Sequence, residues 1–130
     1  MRFITLTPSC IAFAAAHTAR RAATKPVAEI VTFRLLDGAD PAAVRAAAEQ
    51  MTPFLSGTGT MLTRTLSCDD TGLWTDHIIW TSMKAALAAA DQIMSQPSAR
   101  PFMAMIDPET VVMRHAPVHL TTTAGDDAPH

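Results

Sequence analysis

No tyrosine occurs in this chain of 130 residues, and tryptophan and phenylalanine together supply only 5% of it. Large rings with a polar tip are therefore confined to two tryptophans, Trp74 and Trp80, and the remaining polar anchors are histidine and charged side chains. Charge is also scarce, at 17% of residues against the usual ~25%, and the net value is −2 with arginines mostly placed singly. That pattern offers no basic stripe to neutralise a phosphate backbone, so nucleic acid is excluded as a partner. Cysteine is limited to Cys10 and Cys68, neither with a second Cys or a His at ligand spacing, so two free thiols and no metal site are expected. No apolar run reaches the ~18 residues a membrane-spanning helix needs, which excludes a membrane anchor of that kind.

What remains is a single domain, because compact domains hold roughly 100–150 residues. With 48% hydrophobic residues and so few charges, a subunit of this size has more apolar surface than it can bury alone. A homodimer is the expected remedy. Three regions separate by composition. Residues 1–25 join a short apolar run behind Arg2 to Arg20-Arg21 and read as an N-terminal extension, disordered or weakly signal-like with Ala14-Ala15-Ala16 as a cleavage site. Residues 26–120 form the domain, and 121–130, polar and turn-rich, read as a disordered tail. The expected location is cytoplasmic, with export through the signal-like segment as the other reading.

Within the domain the hydrophobic period alternates between that of strands and that of helices. Residues 27–35 place Val27, Val31, Phe33 and Leu35 on one face of a strand that ends at Asp37-Gly38. Asp40-Pro41 then supplies an N-cap with proline in the first helical position, and Val44, Ala47, Ala48, Met51 and Leu55 recur at helical spacing until Pro53 to Gly59 close the helix. Residues 61–68 alternate Leu62, Arg64 and Leu66 against Thr63, Thr65 and Ser67, which predicts a second strand; Asp69-Asp-Thr-Gly72 predicts a hairpin turn into a third. That third strand runs from Trp74 to Trp80 and passes through Thr81-Ser82 into an alanine-rich helix with Met83, Ala86, Leu87, Ala90 and Ile93 in one stripe. Prolines 97, 101 and 108 cut the next segment into short pieces, with a brief helix over 101–106, before a last strand over 110–116.

The order strand, helix, strand, strand, helix, strand is the α+β, ferredoxin-like βαββαβ arrangement: a four-stranded antiparallel sheet with two helices on one face. The other sheet face, half apolar, requires a cover, and a second copy of the same sheet provides one.

The segment Asp76-His-Ile-Ile-Trp80-Thr-Ser82-Met-Lys-Ala-Ala86, following Asp69-Asp-Thr-Gly72, resembles the antibiotic biosynthesis monooxygenase family of dimeric α+β barrels, as does the opening Val27-Ala-Glu-Ile-Val-Thr-Phe-Arg-Leu-Leu-Asp-Gly38. The resemblance spans about Val27 to His119. It implies a dimeric barrel, and an activity among cofactor-free quinol and anthrone oxygenases, haem-degrading enzymes and small proteins of other roles. The haem-degrading branch needs an Asn on the first strand and a Trp and a His on the second helix; the first strand has no Asn, and residues 85–94 hold neither of the other two. The anthrone-oxygenase branch uses a set that includes Tyr, which is missing here. Its residues therefore do not carry over as a set.

A cofactor-free oxygenase needs a base and an apolar chamber. The candidate catalytic groups are His77, His115, Arg64 and Asp76, with Arg114 as a further cation; Trp74, Trp80, Phe33 and Met113 are the candidate pocket walls. On the third strand Trp74, Asp76, Ile78 and Trp80 share one face, while Thr75, His77, Ile79 and Thr81 share the other, so only one set faces a chamber. His115 and His119 stand about 13 Å apart on an extended chain, too far to share an ion. Each candidate has a structural reading too: the histidines as packing residues, Asp76 as half of an ion pair with Arg64 or Arg114, and the tryptophans as core. Two functions fit: a monooxygenase without cofactor or metal, acting on a small aromatic, quinol- or polyketide-like substrate in the barrel interior, and a non-catalytic dimeric barrel that binds a small apolar ligand or has a stress-related accessory role.

Overall fold

The computed structural model describes residues 25–127. The apolar N-terminal run, Cys10 and the signal-like segment lie outside the described residues. Four strands, β1 (Val27–Phe33), β2 (Met61–Cys68), β3 (Trp74–Trp80) and β4 (Val112–Pro117), form one sheet in the order β2-β3-β1-β4. Every pairing is antiparallel. The fold is the expected α+β, ferredoxin-like one. Helices α1 (Pro41–Glu49), α2 (Thr52–Gly57), α3 (Met83–Ile93) and α4 (Arg100–Ala104) lie between strands, and a single turn, α5 (Ala124–Asp127), forms in the segment read as a tail.

Local chemistry explains the boundaries. Asp40 caps α1 by accepting from the Ala42 N–H at 3.2 Å, with Pro41 in the first turn, where its missing N–H costs nothing. One long helix was expected up to Leu55. The chain instead breaks near Gln50 and restarts as α2, because Pro53 cannot donate to the preceding turn and its ring crowds the carbonyl four residues back; within a new first turn neither matters. Ser82 accepts from the Ala85 N–H at 3.1 Å and caps α3. The buried stripe of α3 is Ala86 and Ala89, while Leu87 is exposed, so small residues rather than the longer ones meet the sheet.

The β2 ladder carries a bulge between Met61 and Thr63. The alternation in the sequence groups Leu62 with Arg64 and Leu66; the extra residue shifts Leu62 out of that row and leaves it 52% exposed. Beyond β1, Leu35 bridges Ile106, and the Leu36 N–H donates to the Met105 carbonyl at 2.9 Å, tying the end of α4 to the end of the central strand.

The core lies between the helices and one sheet face. Phe33, fully buried, stacks on Trp74 with centroids 6.2 Å apart and meets Phe102 edge-on at 5.7 Å. Val44, Ala47 and Ala48 of α1, Leu55 of α2 and Ala86 of α3 close over Phe33, Ile78 and Trp80. Deleting the Phe33 ring therefore removes both aromatic contacts and leaves a void the rigid sheet cannot fill. Phe33→Ala is expected to lower unfolding free energy by about 3–5 kcal/mol, read from urea denaturation at fixed protein concentration; a loss below about 1 kcal/mol contradicts this packing.

The β2–β3 hairpin turns through Asp69, whose carboxylate accepts from the Thr71 hydroxyl at 2.7 Å, the Thr71 N–H at 2.9 Å and the Leu73 N–H at 3.0 Å. Gly72 takes φ +87°, a conformation side chains disfavour, and Arg34 donates to the Thr71 carbonyl at 2.7 Å. The Thr71 hydroxyl, then the two backbone N–H groups and more weakly the Arg34 charge, hold the Asp69 carboxyl below its ordinary range. A depressed folded-state value adds stability above the unfolded-state range and loses it as pH falls through the folded one. Asp69→Asn is thus expected to lower Tm slightly at pH 7, with the gap from wild type closing in acid; a gap that widens in acid contradicts the turn's charge dependence.

Candidate active site

The sheet face under the helices carries Val27, Glu29, Val31 and Phe33 from β1, Trp74, Asp76, Ile78 and Trp80 from β3, Arg64 and Leu66 from β2, and Met113 and His115 from β4, as the strand register requires. Two carboxylates are thus buried on a face that is apolar apart from them, Arg64 and His115. An unpaired buried charge is costly, and both are paired.

Asp76 receives a two-pronged contact from Arg64: Nε donates to Oδ1 at 2.9 Å and Nη2 to Oδ2 at 2.7 Å. The third prong, Nη1, donates at 2.8 Å to the Ala48 carbonyl near the end of α1, which also accepts from the Met51 N–H at 3.2 Å. The guanidinium also lies 5.6 Å from the centre of the Phe102 ring. Both members are almost fully buried, so this fork geometry is fixed from four sides. Of the two ion-pair partners the sequence offered Asp76, the fold selects Arg64. Arg114 lies on the other sheet face, opposite Ile30 in the ladder.

The second carboxylate is Glu29. Its Oε1 accepts from the Trp80 indole N–H at 3.2 Å, and its Oε2 lies 3.0 Å from Nε2 of His115. Trp80, 1% exposed, would otherwise bury an unsatisfied donor. Glu29 escaped the sequence reading. The signal was there: Val27, Glu29, Val31 and Phe33 form an alternating row in which the single charged member stands among core residues.

Between this face and helices α3 and α4 lies a cavity of about 400 Å³. Phe33, Ile78, Trp80, Met113 and Phe102 line it with Ala89, Ala90 and Met103, and among the described residues its only charged lining groups are Glu29 and Asp76. The two carboxylates occupy diagonal positions on neighbouring strands, a separation of about 7–8 Å in antiparallel sheets. A wider groove of about 710 Å³ runs along β2 and α1, with Trp74, Arg64 and Cys68 on its walls. Arg64 therefore stands between the groove and the carboxylate that faces the inner cavity.

The expected site residues are divided by the sheet. Asp76, Trp80, Phe33 and Met113 line the inner cavity; Arg64 and His115 stand directly behind its two carboxylates; Trp74 stacks on Phe33 and faces the outer groove. His77 does not join them. It lies on the open sheet face, opposite Ile30 and Thr65. The chamber was expected in the barrel interior between two sheets; the cavity found here instead lies between one chain's own sheet and helices and opens to solvent on one side, where α3 presents alanines. Among the described residues no cluster of three or more His, Cys, Asp or Glu is placed to hold a metal, and no helix is long and apolar enough to cross a membrane.

No family model matches the sequence, and no curated protein matches it. Solved structures do. SnoaB, a cofactor-independent oxygenase from Streptomyces nogalater, superposes with a TM-score of 0.52 at 17% identity over 76% of this chain and 96% of its own. A Bordetella bronchiseptica protein assigned by name to the antibiotic biosynthesis monooxygenases gives 0.63 at 15% identity, over 74% and 99%. The hydroxynitrile lyase of Passiflora edulis gives 0.51 at 14% identity, over 77% and 99%. At these identities the likeness is one of fold alone, which this chain shares with these proteins.

Proposed function

We propose that this protein is a cofactor-independent monooxygenase that takes a small aromatic, quinol- or polyketide-like substrate into the cavity beneath its helices. The observation that carries this reading is the cavity itself, a mostly apolar chamber of about 400 Å³ whose charged lining groups, among the described residues, are two buried, hydrogen-bonded carboxylates. An electron-rich substrate anion reacts with oxygen without a metal or flavin once a base has removed a proton, and an apolar chamber limits its reprotonation by water. The overall change needs no outside reductant: an activated methylene and one O2 give a carbonyl and one water, with all four electrons drawn from the substrate. The oxygenase activity in the name of SnoaB supports the class, whereas the lyase on the same fold is a reminder that architecture alone does not select chemistry.

In this reading Trp80, Phe33 and Met113 hold the ring, Asp76 is a fixed acceptor set by Arg64, and His115 serves the proton through Glu29. Oxygen uptake on a panel of hydroquinones and anthrones tests it. Wild type is expected to consume oxygen with at least one of them. His115→Ala is expected to lower kcat by roughly 100-fold, the usual reach of acid–base assistance, and His77→Ala to stay within about twofold. Wild type inert across the whole panel would falsify the assignment.

A second copy of the chain is proposed to cover the open sheet face. That face carries Ile30, Ile79 and Val112, the last 61% exposed, beside Thr63, Thr65 and His77. Light scattering on the eluted protein is expected to give twice the chain mass, and Ile79→Lys, which places a charge at the centre of this surface, to give the mass of one chain. A wild-type protein of single-chain mass removes this assembly.

A further inference from the structure

We propose that Glu29 is the group that takes the proton from the bound substrate, and that His115 carries that proton out to solvent at the edge of the sheet. This rests on the oxygenase reading of the cavity and adds to it the identity of the base and the route of the proton.

Of the two carboxylates that line the cavity, only one has a partner able to move a proton. Asp76 is held by Arg64, whose guanidinium stays protonated in proteins, so a proton arriving on Asp76 has no onward carrier. Glu29 is held at Oε2 by Nε2 of His115, a ring that accepts on one nitrogen while releasing from the other. A carboxylate offers about four lone-pair sites. Trp80 and His115 engage two of those on Glu29, and among the described residues no other group takes the rest. The Trp80 indole holds Oε1 in place, which fixes the carboxylate between cavity and histidine.

The strand order supplies the exit. β4 is the edge of the sheet, next to β1, so a proton that passes from Glu29 to His115 moves one strand outward. His115 does not line the cavity, while Glu29 does. Exposure rises along the same path, from 8% for the Glu29 side chain to 16% for that of His115. A substrate C–H or O–H bond breaks, its electron pair stays on the substrate as an enolate or phenolate, and the proton bonds to a Glu29 oxygen. With Glu29 neutral, the His115 ring shifts through solvent from its Nε2–H to its Nδ1–H tautomer, which bares Nε2; the Glu29 proton then bonds to Nε2 as the Nδ1 proton leaves to water. Glu29 ends as a carboxylate and His115 as the neutral Nε2–H ring that donates to it, as before the turnover.

Hydrogen exchange on an anthrone without oxygen tests this apart from the oxidation. Dithranol, a dihydroxyanthrone with an acidic methylene, is incubated anaerobically in D2O with the protein, and deuterium entering the methylene is followed by NMR. Wild type is expected to accelerate exchange over buffer, Glu29→Gln to lose about 100-fold or more of that acceleration, and His115→Ala to lose a comparable share that added imidazole restores. Rescue by a free base distinguishes a carrier from a packing residue. Near-UV circular dichroism of the tryptophans reports whether each variant folds; should Glu29→Gln not fold, the His115→Ala rescue decides alone. No acceleration by wild type, unchanged exchange in folded Glu29→Gln, or a His115→Ala defect that imidazole leaves in place overturns the proposal. Fast, Glu29-dependent exchange with no oxygen uptake in air upholds the proton route and removes the oxygenase reading instead.

Discussion

The pairing of two buried carboxylates governs this molecule. Glu29 and Asp76 sit on the apolar face of a sheet, where an isolated negative charge costs several kcal/mol even after relaxation. Each must be met by a donor of fixed position, and those donors come from different strands: Arg64 of β2 reaches Asp76 of β3, while Trp80 of β3 and His115 of β4 reach Glu29 of β1. The two networks therefore stitch all four strands in one register. A slip of one residue would turn the apolar row outward and strand a carboxylate together with its former donor.

The same pairing keeps the cavity from collapsing. Charged side chains held by hydrogen bonds at both oxygens do not fold down into apolar space to seek partners, and Arg64 is pinned at three nitrogens with Phe102 beneath it. Above them the helices contribute little bulk. Ala86 and Ala89 allow α3 to lie close to the sheet, whereas Ala89 and Ala90 leave volume where leucines would fill it. The alanines of α3 thus border space on the helix side, while the larger side chains that line it come mainly from the sheet and α4.

The fold was legible because period, turn chemistry and caps agreed. Asp40-Pro41, Asp69 to Gly72 and Ser82 each bound the element they were expected to bound. Boundaries failed where a single residue acts against the period, as Pro53 does in splitting one helix and as the bulge at Leu62 does in shifting a row. The site was half legible. Alternation on β3 placed Asp76 and Trp80 on the opposite face from His77, yet alternation alone does not say which face meets the helices; that follows from burial of the tryptophans, which only the assembled sheet decides. Glu29 was missed because a glutamate in a strand is ordinarily a solvent-facing residue, and its partner lies 86 positions away in sequence.

The two carboxylates are chemically unequal all the same. Both are buried on the same face, both accept two protein hydrogen bonds, and both border the same chamber. Composition and burial cannot separate them. What separates them is the proton chemistry of the partner and its place in the strand order: a guanidinium locked between helix and sheet on one side, an imidazole on an edge strand on the other. A permanently charged partner makes a carboxylate an anchor, and a titratable one with a way out makes it a conduit.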